Sequence, residues 1–218
     1  MIKLITTCSQ GEVNKCERLI KSLEYHGWDY HIITHHWGGF GDKILETYKY
    51  LKANPDIEFF LYTDAWDTFT TKPAHITEKE LVFHKISTGI LLSAERGCYP
   101  HPEKAVLYPQ TDSPFKYVNG GGWFCNAKSF CELVESNPLT RETVDQVWFT
   151  DIYLKYHQTG IVKLDTDCRI FQTIAFCPED NFIITKNERV INTVTGTLPS
   201  FIHGNGHTPL TQFESLIK

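Results

Sequence analysis

Between Leu4 and Thr63 the apolar residues switch repeatedly between the period of a strand and that of a helix, and few folds accommodate this pattern. Leu4 to Cys8 reads as a short buried strand. A helix follows in which Leu19, Ile20 and Leu23 share a face, and Gly27 ends it. Tyr30 to Thr34 is a second strand. Ile44, Leu45, Tyr48 and Leu51 then form the stripe of a second helix, which stops near Asn54 and Pro55. Glu58 to Thr63 makes a third strand, apolar on both faces, and Ile90 to Glu95 a fourth. Strand, helix, strand, helix, strand predicts an α/β fold with a parallel sheet and helices on its faces.

The second half is less regular. Residues 96–115 hold four prolines and little periodicity, so a structured surface loop is predicted there. Lys116 to Asn119 reads as a strand running into Gly120, Gly121 and Gly122. Thr143, with Gln146 three residues later, has the form of a capping box that opens a helix to about Tyr156. Val162 to Asp165 and Arg169 to Ile174 read as strands, and Phe182 to Thr195 as a hairpin. With no repeat and no linker, the 218 residues are expected to form one α/β domain with a mixed sheet.

A formal net charge of −5 gives no broad surface for a phosphate backbone, which sets bulk nucleic-acid binding aside. No apolar run approaches the roughly 20 residues of a spanning helix, so no membrane segment is expected. The seven cysteines are odd in number and scattered, which suits free thiols in a reducing compartment. The run Met1 to Ile5 is too short for a secretory leader, and a cytoplasmic location follows as the expectation.

The chemistry concentrates in four segments. The apolar strand Phe59 to Thr63 ends in Asp64, Ala65, Trp66 and Asp67, at the carboxyl end where open α/β sheets bind ligands. Two carboxylates this close repel unless a cation lies between them, and their oxygens suit magnesium or manganese. The plainer alternative is a strand-ending turn in which Asp64 caps and Asp67 is solvated. Second, Phe201-Ile202-His203 delivers a histidine into the turn Gly204-Asn205-Gly206, whose amides can face phosphate oxygens. An imidazole ligand favours Mn2+ over Mg2+, although a histidine before a glycine turn is more often structural. Third, Trp37-Gly38-Gly39-Phe40-Gly41 precedes Lys43 at a helix start, the form of an anion cradle with a neutralising lysine. Fourth, Asn119, Gly120, Gly121 and Gly122 lead to Trp123, an indole suited to stacking on a sugar ring or to core packing.

Taken in order, these segments resemble the glycosyltransferase module of the procollagen lysyl hydroxylases, the procollagen galactosyl- and glucosyltransferases. The likeness runs through Trp37-Gly38-Gly39 with Lys43, Thr63 to Asp67, Ser93 to Pro100 and Tyr117 to Gly122. It continues in Asp145 to Thr150, in Leu164-Asp165 with Arg169 to Thr173, and in Leu198-Pro199 with His203 to Gly206. The resemblance implies a GT-A nucleotide-sugar transferase fold, with a nucleotide-binding half in 1–95 and an acceptor-side half in 96–218. It implies Asp64, Asp67 and His203 as Mn2+ ligands, with Mg2+ as the alternative metal. It also implies Thr6, Thr7, Trp37, Lys43, Trp66, Gly204, Asn205 and Gly206 as contacts to a UDP-sugar donor.

On the acceptor side the implied pocket holds Glu95, Tyr99, Gly120, Gly121, Trp123 and Gln146, with Asn119 and Asp145 as the catalytic pair. Asp145 would take the acceptor proton in an inverting course. The sequence departs from the family at Asp145, the only member present of an acidic run, and at Tyr99, where the family carries a tryptophan. The expected activity is transfer of glucose or galactose from UDP-glucose or UDP-galactose to a hydroxyl acceptor of unassigned identity. The absent leader points away from collagen as that acceptor. The alternatives are a nucleotide-sugar hydrolase and a catalytically weak sugar- or nucleotide-binding domain.

Overall fold

The alternating first half folds as its two periods dictate. The computed structural model describes residues 2–87 and 89–217, with side chains for all of these except 83–87. Its elements are β1 (Lys3–Ser9), α1 (Glu17–Tyr25), β2 (Tyr30–His35), α2 (Asp42–Ala53), β3 (Phe59–Thr63), β4 (Thr68–Thr70), α3 (Ala74–Ser87) and β5 (Ile90–Glu95). There follow β6 (Tyr117–Asn126), α4 (Ala127–Ser136), α5 (Asp145–Tyr156), β7 (Val162–Leu164), β8 (Phe171–Thr173), β9 (Phe182–Ile184), β10 (Val190–Asn192) and β11 (Phe201–His203). β4, α3 and α4 are additions to the elements expected from the sequence.

Six strands form the central sheet in the order β2-β1-β3-β6-β5-β7. β1 runs parallel to β2 and β3, and β5 parallel to β7, while β6 lies antiparallel between β3 and β5. The sheet is therefore mixed, as expected, and a strand from the second half of the chain is inserted between two from the first. Alternate residues go to opposite faces. Ile5, Phe60, Tyr62 and Trp123 pack with Phe130 and Phe149 on one side. Leu4, Leu61 and Phe124 pack with Leu19, Leu23 and Phe201 on the other. Burial of each such side chain stabilises the fold by about 1.5–3 kcal/mol.

The glycine run is the first correction. It is not a turn after a short strand; β6 continues through it to Asn126. The pairing with β5 slips there, so that Leu92 faces Trp123 while Ser93 faces Asn119. Gly120 to Gly122 thus form a bulge on the β5 side while Gly122 still pairs Thr63 of β3. The second correction is the start of α5. Val144, not Thr143, is its N-cap and supplies no side-chain bond. The Thr143 hydroxyl instead accepts from the Thr140 amide at 3.0 Å, and the Gln146 amide group is used elsewhere. The third is β8, shorter than the predicted run because Asp165 accepts from the amides of Arg169, Ile170 and Phe171.

A second, three-stranded sheet has the order β4-β11-β8. β11 pairs antiparallel with β4 and parallel with β8, which sets His203 between Thr68 and Thr173. This small sheet carries His203, nearly at the end of the chain, back to the carboxyl end of β3.

Candidate metal and donor site

β3 ends at Thr63, and the next amide, of Asp64, donates to the Gly121 carbonyl at 2.8 Å. Asp67 closes the turn before β4, and its carbonyl accepts from the Gly204 amide at 2.7 Å. These two main-chain bonds fix the turn against β6 on one side and against the end of β11 on the other. His203 Nε2 then stands 3.7 Å from Asp64 Oδ2 and 3.3 Å from Asp67 Oδ2. Its Nδ1 lies 3.2 Å from Asn119 Oδ1, which also accepts from the Gly121 amide at 3.0 Å. A ring held this way directs Nε2 at the two carboxylates.

The three ligand atoms all lie within 4.8 Å of one another. Burial disfavours charge on His203, but the carboxylates of Asp67 and Asp64 outweigh it and hold the imidazole above its usual pKa. Burial likewise opposes ionisation of Asp67, and His203 more than offsets it, so Asp67 lies below the ordinary carboxylate value. Asp64 is pushed up by burial, against the pull of Lys43 and His203. Gly121 supplies a test of fit. A β-carbon there would overlap the His203 ring and lie 2.8 Å from Asp64 Oδ2, so the strand backbone forms one wall of the cluster. Two carboxylate oxygens and one imidazole nitrogen, open on the Asp67 side, fit a divalent cation.

Lys43 sits behind the cluster. Its Nζ lies 2.7 Å from Asp64 Oδ1 and 2.5 Å from Asp145 Oδ2. Burial opposes the ammonium charge, but Asp145 and Asp64 hold Lys43 well above its ordinary pKa. The lysine expected to meet a diphosphate is thus also the link between the carboxylates of β3 and α5. Beside it, Gly120 leaves room for α5, because a β-carbon would come 3.0 Å from Asp145 Oδ2 and 3.1 Å from Gln146 Cα.

Glu95, buried at the end of β5, joins the site to its rim. It accepts from Gln146 Nε2 and, at 2.6 Å, from Asn205 Nδ2. Gln146 also donates to the Tyr99 carbonyl at 2.9 Å and accepts from the Gly120 amide at 3.3 Å. Burial pushes the Glu95 carboxyl up to about 7. Asn205 Oδ1 accepts from the Ile174 and Ala175 amides, so its side chain is fully engaged by the protein. Tyr99, tied to Gln146 through its carbonyl, is 69% exposed, and Trp66, between the two aspartates, is 43% exposed; Trp37 is 51% exposed and packs on Phe40. Lys15 Nζ lies 4.4 Å from the centre of the Trp66 ring, a cation–π contact to which no motif pointed.

Several expectations change here. Trp123 is fully buried, stacked on Tyr62 at 3.8 Å and packed against Phe149, so its ring faces the core and not a sugar. Thr6 lies inside β1, fully buried, with its hydroxyl donated to the Thr63 carbonyl at 2.7 Å. Thr7 shares a 2.7 Å bond with the Tyr62 hydroxyl. The Gly204 amide is spent on Asp67, which leaves Gly206, with φ 64°, as the freer part of that turn. The glycines before α2 do not cradle an anion. β-carbons on Gly39 and Gly41 would strike the main chain of Arg141 and Thr140, which occupies that space. Arg141 carries no motif, and nothing in the sequence marks it.

Comparison with known proteins gives the family and the fold. Residues 4–217 match the family described as PLOD GT domain. The chain is 30% identical over 226 residues to procollagen-lysine,2-oxoglutarate 5-dioxygenase 1 of Pongo abelii, covering 95% of this chain and 30% of that protein. It is 33% identical over 180 residues to the procollagen-lysine,2-oxoglutarate 5-dioxygenase of Drosophila melanogaster, covering 78% of this chain and 24% of the relative. The chain therefore spans about a third or less of the curated relatives it matches. Among solved structures it is similar to mouse xyloside xylosyltransferase 1, at 12% identity and a TM-score of 0.57 over 96% of this chain and 99% of the other. The chain belongs to the PLOD glycosyltransferase-domain family, with the α/β fold and mixed central sheet of GT-A glycosyltransferases. Among the described residues no helix is long and apolar enough to cross a membrane.

Proposed function

We propose that this glycosyltransferase moves glucose or galactose from UDP-glucose or UDP-galactose to a hydroxyl acceptor, with Mn2+ as its metal. The observation that carries the reading is the meeting of Asp64, Asp67 and His203 at the carboxyl end of β3, within a chain of this family. Asp64, Asp67 and His203 would hold the cation, which when bound supplies positive charge to the diphosphate leaving group. Asn119 orients His203, and Lys43 keeps Asp64 and Asp145 in register. Trp66, exposed between the two aspartates, would contact the uracil ring, and Trp37 would also contact the donor. Gly206 leaves main-chain room for the phosphates.

Glu95, Tyr99, Gly120 and Gln146 line the acceptor side, and their hydrogen-bond network suits a hydroxyl-bearing ligand. In an inverting course Asp145 would accept the acceptor proton. The seven free cysteines suit a reducing, cytoplasmic compartment.

A donor screen with Mn2+, run on wild type and Asp67→Ala, tests the assignment. Turnover of one UDP-sugar is expected, and the variant should lose at least about a hundredfold. Equal turnover by the two proteins would remove the metal assignment. Mass spectrometry of the products separates transfer from hydrolysis, because a hydrolase releases only free sugar.

A further inference from the structure

Segment 36–41, between β2 and α2, holds two exposed rings, Trp37 and Phe40, set edge to face with centroids 5.3 Å apart. Its main chain is clamped. Asp42, only 1% exposed, accepts from the Gly38 amide at 2.6 Å, from Arg141 Nε at 2.7 Å and from Arg141 Nη2 at 3.0 Å. The same guanidinium donates to the His36 carbonyl at 2.8 Å, and the Arg141 carbonyl accepts from the Gly41 amide at 3.0 Å. Arg141 lies on the segment that leads into α5, whose first residue, Asp145, pairs with Lys43, the neighbour of Asp42. One fork-shaped ion pair therefore joins the segment carrying Trp37 to the start of the helix carrying Asp145.

We infer that Arg141 is a positioning residue: its two-pronged bond to Asp42 holds segment 36–41 so that Trp37 is presented to the nucleotide-sugar donor. The inference rests on the donor contact proposed above for Trp37. The segment itself is tied at three points, by the His36 carbonyl and the Gly41 amide to Arg141 and by the Gly38 amide to Asp42, and Asp42 is in turn held by the guanidinium. The planar guanidinium supplies two parallel bonds to Asp42 and a third to His36, which the single ammonium of a lysine does not reproduce.

Two measurements test this, one of them independent of activity. In a chain labelled with 5-fluorotryptophan, which has five tryptophans, the Trp37 fluorine line is assigned by Trp37→Phe. It is expected to move in Arg141→Met and in Arg141→Lys while the buried Trp123 line stays in place. An unmoved Trp37 line overturns the latch. In steady-state assays both Arg141 variants should raise the donor KM about tenfold with kcat within about twofold, and should add nothing to Trp37→Ala. Additive effects on KM, or a fall in kcat alone that follows lost thermal stability, overturn the presenting role. A Trp37→Ala chain with unchanged donor KM refutes the donor contact and the proposal with it, and the moved fluorine line distinguishes that outcome from failure of the latch. Because Arg141→Met leaves a buried carboxylate, Arg141→Met/Asp42→Asn provides a folded comparison if the single variant is unstable.

Discussion

Gly121 has no side chain because His203 and Asp64 occupy the space one would fill. Its φ lies outside the left-handed region, so alanine there is a steric problem and not a conformational one. Gly121→Ala is expected to keep its secondary structure by circular dichroism and to lose Mn2+ affinity by at least about tenfold in calorimetric titration. Undiminished affinity would contradict the geometry of the site. Glu95 makes a different prediction. Burial raises its carboxyl from 4.5 to about 7, so the folded chain holds that proton more tightly than the unfolded one. Its contribution is then full below pH 4.5 and is lost as the pH climbs through 7. With metal chelated, Glu95→Gln should flatten urea-derived stability across this window, by on the order of 3 kcal/mol at most.

At the scale of elements, β6 shows how a pattern can be read correctly and placed wrongly. Three glycines before an indole indicate close backbone approach, and the structure contains three such approaches, to α5, to His203 and to Phe171. The pattern does not say that the strand continues, because a bulge paired to β3 on one side and slipped against β5 on the other is a property of two partners. Trp123 follows from that continuation, since four more residues of strand carry the ring into the core. Trp123→Ala is therefore expected to cost about 3–5 kcal/mol in chemical denaturation while activity per folded molecule stays near wild type. A large loss of donor or acceptor affinity in the folded fraction would return the ring to the pocket. The capping box of α5 failed for a related reason: Gln146 has better partners in Glu95, Tyr99 and Gly120 than in its own helix end.

For the molecule as a whole, Asp64 and Asp67 come from the carboxyl end of the central sheet and His203 from the small sheet β4-β11-β8. A cation held by all three binds the folded chain and not the unfolded one. At a hundred times its dissociation constant it should stabilise by about 2.7 kcal/mol. For a chain of this size that corresponds to roughly 5–10 °C in thermal midpoint. Differential scanning calorimetry with and without Mn2+ should show the rise in wild type, its reversal by chelator and its absence in Asp67→Ala. A midpoint indifferent to metal in wild type would mean that the two sheets are not bridged there.

The sequence by itself determined the α/β class and the strands β1, β2, β3 and β5 with the helices α1 and α2 between them, and its resemblance to a family singled out Asp64, Asp67 and His203, which the fold brings together. These are carried by local periodicity, by strand-end position and by the order of motifs along the chain. Only the tertiary structure decided that β6 passes between β3 and β5, that Lys43 joins Asp64 to Asp145, and that Arg141 fills the space left by the glycines before α2. In each of these the partner lies far away in sequence. A glycine, a lysine or an arginine specifies the room or charge it offers, and not the residue that will use it.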